Sequence, residues 1–161
     1  MYRFFEVFKT LKLPEDLAVY FENVEVTKVS KTSTNSLARV YIKSDRVIEK
    51  PIIFKVEDAL KKQIFRISNM DVRIIDRYVL SAQYTPQTVM DIYYDSILAE
   101  LEKYWTLEYN LLKNSQWEFE KEDMLVFTIE DSFLAHQYAD TLTDYFKKIC
   151  LLYTSDAADD L

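Results

Sequence analysis

Phe4, Phe5, Phe8 and Leu11 recur at helical spacing and put aromatic side chains on one face, which predicts an opening helix. Pro14 suits the first turn of a second helix, and Glu15 and Asp16 follow where the helix dipole favours negative charge. That helix continues through Leu17, Tyr20 and Phe21. Val24, Val26 and Val29 then predict a strand, 32–36 a polar turn, and 37–44 a second strand. The second strand alternates cleanly, with Ala38, Val40 and Ile42 on one face and Arg39, Tyr41 and Lys43 on the other. The two strands read as a hairpin with one buried face. Pro51, Ile53, Val56, Leu60 and Ile64 mark a helix ending near Phe65.

The pattern restarts with a strand over 72–79. Thr85 and Pro86 form a cap and first helical position, and Val89, Tyr93, Ile97 and Leu101, joined by Met90, Tyr94 and Leu98, make a wide apolar stripe. A shorter helix covers 107–112. Trp117 and Phe119 begin a strand, 121–123 turns it, and Leu125, Phe127 and Ile129 return it. Asp131 is placed to cap a last helix with Leu134, Tyr138, Leu142, Tyr145 and Ile149 inward. The predicted order is ααββα followed by βααββα, two small packed subdomains of the α+β class.

Charge sharpens that division. Residues 1–69 carry 13 basic and 9 acidic side chains, whereas 70–149 carry 7 and 15. The asymmetry sets the expected boundaries at 1–69 and 70–149, with no proline-, glycine- or serine-rich linker between them. The chain of 161 residues has no glycine, where about eleven would be usual. Phosphate-cradling loops, dinucleotide fingerprints and GXXG clamps are thereby excluded. A single cysteine rules out an internal disulfide framework and multi-cysteine metal sites. No stretch approaches the ~18 apolar residues of a membrane span, and residues 1–6 do not read as a signal peptide. A cytoplasmic protein is expected.

The segment 150–161, CLLYTSDAADDL, departs from what precedes it. One codon choice for 150–159 spells TGT CTC TTA TAC ACA TCT GAC GCT GCC GAC, which resembles a transposon-based sequencing adapter read in frame. On that reading the tail is non-native, the cysteine with it, and the natural chain is expected to continue beyond Ile149.

Candidate chemistry is sparse. His136 and Asp140 stand at i,i+4, but two ligands are too few for a metal and an exposed ion pair accounts for them. Asp91 and Asp95 share a helix face opposite the apolar stripe, so they read as solvated rather than as an acid–base pair. Ser96 and Ser132 have no glycine elbow to expose them as nucleophiles. No catalytic, metal or cofactor-binding residue is assigned, and no small-molecule ligand or membrane is expected. The remaining candidates are Arg39, Tyr41 and Lys43, since basic side chains interleaved with an aromatic can track a phosphate backbone and stack a base. With a balance of only +4 in that half, binding through the hairpin alone is expected at about 10⁻⁴ M or weaker at physiological salt.

Several segments, in order, resemble the extreme N-terminal region of PolC-type DNA polymerase III, the replicative polymerase alpha subunit of Gram-positive-type bacteria. They are 4–17 (FFEVFKTLKLPEDL), 21–29 (FENVEVTKV), 39–43 (RVYIK), 80–86 (LSAQYTP), 96–101 (SILAEL), 108–110 (EYN) and 129–131 (IED). The resemblance implies two N-terminal subdomains, the second a truncated KH-like fold. An OB fold, a metallophosphatase-like domain with an inserted 3′–5′ proofreading exonuclease, and the polymerase core would all lie beyond Ile149. None of the family's catalytic residues carries over to this sequence. Two roles are expected for such a region, the first named being the leading one and the second its alternative. One is docking a replisome protein, with the clamp-loader tau subunit as candidate, because 12 tyrosines, 10 phenylalanines and 2 tryptophans exceed what a small core must bury. The other is accessory contact with single-stranded or template DNA through the first hairpin.

Overall fold

Alternation on the hairpin strands carries over directly into a sheet. A computed structural model describes residues 1–152 apart from 33, 35, 82 and 83. The chain divides into two units, Met1–Leu80 and Ser81–Leu161. In the first, the order is β1 (Tyr2–Arg3), α1 (Phe4–Val7), α2 (Glu15–Ala18), β2 (Glu25–Thr32), β3 (Leu37–Ser44), α3 (Lys50–Gln63) and β4 (Asp71–Tyr78). Its sheet runs β1-β2-β3-β4, antiparallel except for the parallel β3–β4 pair.

The opening aromatics converge without the long helix their spacing predicts. α1 is one turn, because Phe8 leaves helical geometry at φ −109° and ψ 64°. Phe4 nevertheless packs its ring 5.0 Å from Phe8 and 4.7 Å from Phe21, and all three are buried. Ala38, Val40 and Ile42 of β3 join Ile53, Val56 and Leu60 of α3 in the core. The parallel β3–β4 pair requires a crossover, and α3 supplies it.

Two charged groups of α3 are buried against β4. Lys50 Nζ lies 2.6 Å from Asp76 Oδ1, and the Tyr78 hydroxyl lies 2.6 Å from Asp76 Oδ2 and 3.0 Å from the Ile48 carbonyl. Burial pushes the Asp76 pKa up, but the Lys50 charge and the hydrogen bonds from Lys50 and Tyr78 outweigh it and hold it below the usual carboxylate value. Glu57 Oε2 accepts the backbone N–H of Ile74 at 2.6 Å.

The second unit comprises α4 (Pro86–Tyr104), α5 (Thr106–Leu112), β5 (Gln116–Lys121), β6 (Met124–Thr128) and α6 (Phe133–Leu152). Thr85 caps α4 reciprocally: its Oγ1 accepts from the Thr88 amide at 3.2 Å, and Thr88 Oγ1 accepts from the Thr85 amide at 2.7 Å. The predicted stripe is buried at Val89, Met90, Tyr93, Ile97 and Leu101. Tyr94 reaches the β5–β6 hairpin, with ring centroids 5.6 Å from Trp117 and 6.3 Å from Phe127.

The α+β class holds, with three differences in detail. The strand expected to open the second half is instead β4 of the first sheet, so the division falls between Leu80 and Ser81 rather than at 69/70. The element orders become βααββαβ and ααββα. Ser132, not Asp131, caps α6, accepting from the Ala135 amide at 3.0 Å, and Leu134 is exposed while Leu142 and Phe146 are buried. The predicted turn over 32–36 falls at 33 and 35 outside the described residues. So does the adapter-like tail, apart from the helical backbone that runs to Leu152.

Candidate nucleic-acid interface

Strand pairing places Arg39, Tyr41 and Lys43 side by side on the sheet face turned away from the core. Their neighbours follow from the register. Arg39 stands between Ser30 of β2 and Arg73 of β4, Tyr41 between Lys28 and Ile75, and Lys43 between Glu25 and Arg77. Arg3 of β1 extends the last row beyond Glu25. The face therefore gathers six cations around one tyrosine and one isoleucine.

Two carboxylates share the face. Glu25 is in register with Lys43, and Asp71 stands at the end of β4 beside Leu37. Asp71 is engaged by Lys61, whose Nζ lies 2.6 Å away, and that hydrogen bond and charge raise the Lys61 pKa. Lys28 Nζ stands 5.6 Å from the Tyr41 ring centroid. A bulge between Val26 and Lys28 sets this alignment, and Thr27 Oγ1 donates to the Tyr41 carbonyl at 3.3 Å. Arg39, Tyr41, Lys43, Arg73, Ile75 and Arg77 are each half-buried, while Lys28 is exposed.

Arg73 and Arg77 are the residues that sequence reasoning missed. Assigning their strand to the second half kept them from being counted with the hairpin. A usable signal was present: a strand over 37–44, a helix over 50–64 and a strand over 72–79 make a β-α-β pattern, which favours a parallel pair. Both strands also alternate, so a shared face would bring Arg73, Ile75 and Arg77 beside Arg39, Tyr41 and Lys43.

Elsewhere, His136 pairs with Asp131 rather than with Asp140; its Nε2 lies 2.7 Å from Asp131 Oδ1, and both side chains are exposed. Asp91 and Asp95 are solvated, with Asp91 accepting from Gln87 at 3.1 Å. Among the described residues no group of three or more His, Cys, Asp or Glu side chains could hold a metal. Among them, too, no helix is long and apolar enough to cross a membrane.

The first unit is thus a small α+β domain built on a mixed sheet with one basic face. Residues 3–74, a little under half of the chain, match the family described as DNA polymerase III polC-type N-terminus I. The match is to an N-terminal domain of PolC-type DNA polymerase III and points to DNA replication. The match ends within β4, so the resembling segments from Leu80 onward lie outside it. No curated protein and no solved structure matches the chain.

Proposed function

We propose that the chain serves its polymerase as a non-catalytic accessory region whose basic sheet face contacts the nucleic-acid backbone. The register of β3 with β4 supports this reading most, because it adds Arg73 and Arg77 to Arg39 and Lys43. Phosphate neutralisation by such a cluster gives affinity without sequence preference and makes it fall steeply with salt. The test is fluorescence anisotropy of a labelled oligonucleotide over a salt series. Each phosphate contact contributes about 0.7–0.9 to the log–log salt slope, so the Arg39→Glu, Lys43→Glu double variant should flatten the slope by about 1.5. Absence of binding in low salt would overturn the reading. Purified chain given divalent metal, nucleotides and primed template should neither extend nor degrade the DNA.

Docking of a replisome protein, with the clamp-loader tau subunit as candidate, is the second reading. A groove of about 760 Å³ between the β5–β6 hairpin and α6, lined by Leu125, Phe127, Leu142 and Phe146 among others, favours it. The composition argument for docking is weaker than the aromatic count implies, since Phe4, Phe8, Phe21, Phe65, Tyr78, Tyr93 and Phe146 are spent on the core. Capture of purified tau that persists at moderate salt and is lost on changing Phe127 would support docking.

A further inference from the structure

We infer that the basic face holds a single strand in preference to a duplex, with a base stacked on Tyr41; this rests on the nucleic-acid reading above. Phosphates require cations only, and a purely electrostatic face would have no use for apolar side chains at its centre. Here the middle row is Lys28, Tyr41 and Ile75 in register, with the tyrosine and isoleucine half-buried among the cations. Such a pair offers a platform for the flat face of a nucleobase, and an aromatic ring is the usual partner for an unpaired base.

The spacing fits the same occupant. Arg39 and Arg73 lie on one side of the platform, and Lys43 and Arg77 on the other. The rows are four residues apart along the strands, about 13 Å at the usual strand rise. A strand crossing the platform would therefore meet cations before and after the stacked base. Lys28 Nζ now stands over the Tyr41 ring, 5.6 Å from the centroid, so a base that stacks there displaces the ammonium, which is then free to meet a neighbouring phosphate.

A duplex fits poorly. Its bases are already stacked and offer no free face to Tyr41, and the major groove admits only a helix or a two-stranded ribbon. The cations here stand on a four-stranded sheet, whose breadth presents a surface and not a ridge.

Anisotropy with the whole chain tests this, using a labelled oligo-dT and a duplex of equal length at one salt concentration. The single strand should bind at least tenfold more tightly. Tyr41→Ala should weaken single-strand binding by about tenfold or more and leave duplex binding unchanged, whereas Tyr41→Phe, which keeps the ring, should bind as the parent does. Circular dichroism melting of both variants separates lost stacking from lost folding, and the Tyr41→Phe comparison stands if Tyr41→Ala does not fold. Equal or tighter duplex binding would overturn the single-strand inference while leaving nucleic-acid contact intact. Binding to neither would overturn both. Displacement of the oligonucleotide by poly-glutamate at equal charge, with Tyr41→Ala indistinguishable from the parent, would assign the face to an acidic polypeptide and overturn the inference.

Discussion

Arg39 of β3 and Arg73 of β4 are register partners in a parallel pair, and both stand on the sheet face turned away from the hydrophobic core. Like charges directly opposite each other destabilise a sheet. Arg39→Glu replaces that repulsion with attraction and faces only Ser30 on the other side. It should therefore raise stability by a few tenths to about 1 kcal/mol while weakening oligonucleotide binding. Thermal melting and anisotropy on the same preparation check the pair of opposite signs, which a merely disruptive substitution would not give.

The buried Lys50–Asp76 pair predicts acid sensitivity. Asp76 titrates lower in the folded chain than its ordinary value, so its contribution to stability is fully present above that value. The contribution is lost as pH falls below about 4 and through the depressed folded pKa. Urea midpoints measured from pH 7 down to pH 3 should drop accordingly. Asp76→Asn, which removes the counter-charge from a buried ammonium, should cost about 3–5 kcal/mol at neutral pH. Lys50→Met combined with Asp76→Leu should recover much of that loss.

Among the described residues two occupy left-handed backbone in a chain without glycine: Ser36 at φ 47° and Asn69 at φ 48°. The Asp71 amide donates to the Ser36 carbonyl at 2.9 Å, tying the first position to the start of β4. Asparagine tolerates this region and serine does so less well. Ser36→Gly should raise stability by about 0.5–1 kcal/mol, and Asn69→Gly should change it less. Chemical denaturation midpoints decide the order.

The reciprocal cap at the start of α4 gives a control in the second unit. Thr85→Ala removes the acceptor for the Thr88 amide and should cost about 1 kcal/mol. Since the proposed site lies on the first sheet, oligonucleotide affinity should be unchanged.

Much of this fold was legible because local patterns decided it. The bounds predicted for β3 are those observed, since alternation along Leu37–Ser44 registers burial on one face at every second residue. The start of α4 was equally legible from Thr85 and Pro86. The opening helices were not, because the spacing of Phe4, Phe5 and Phe8 reports which rings converge and not how the backbone brings them together. For the site, Arg39, Tyr41 and Lys43 could be read from one strand. Arg73, Ile75 and Arg77 required knowing which strand lies beside it, and that pairing is non-local. Charge bookkeeping by halves misplaced the boundary for the same reason: net charge follows solvent exposure along the chain, whereas a sheet is assembled across it.

The carboxylate that Glu57 places on the Ile74 amide has a consequence for how other chains can meet this domain. β4 is the last strand of its sheet, and an outermost strand with free amides is a template for pairing with a strand from another polypeptide. Occupying the Ile74 amide from within the same domain closes one rung of that template, in the middle of the strand where a guest strand would need it. Extension of the sheet by β-augmentation along β4 is thus disfavoured, as is edge-to-edge self-association of newly made chains.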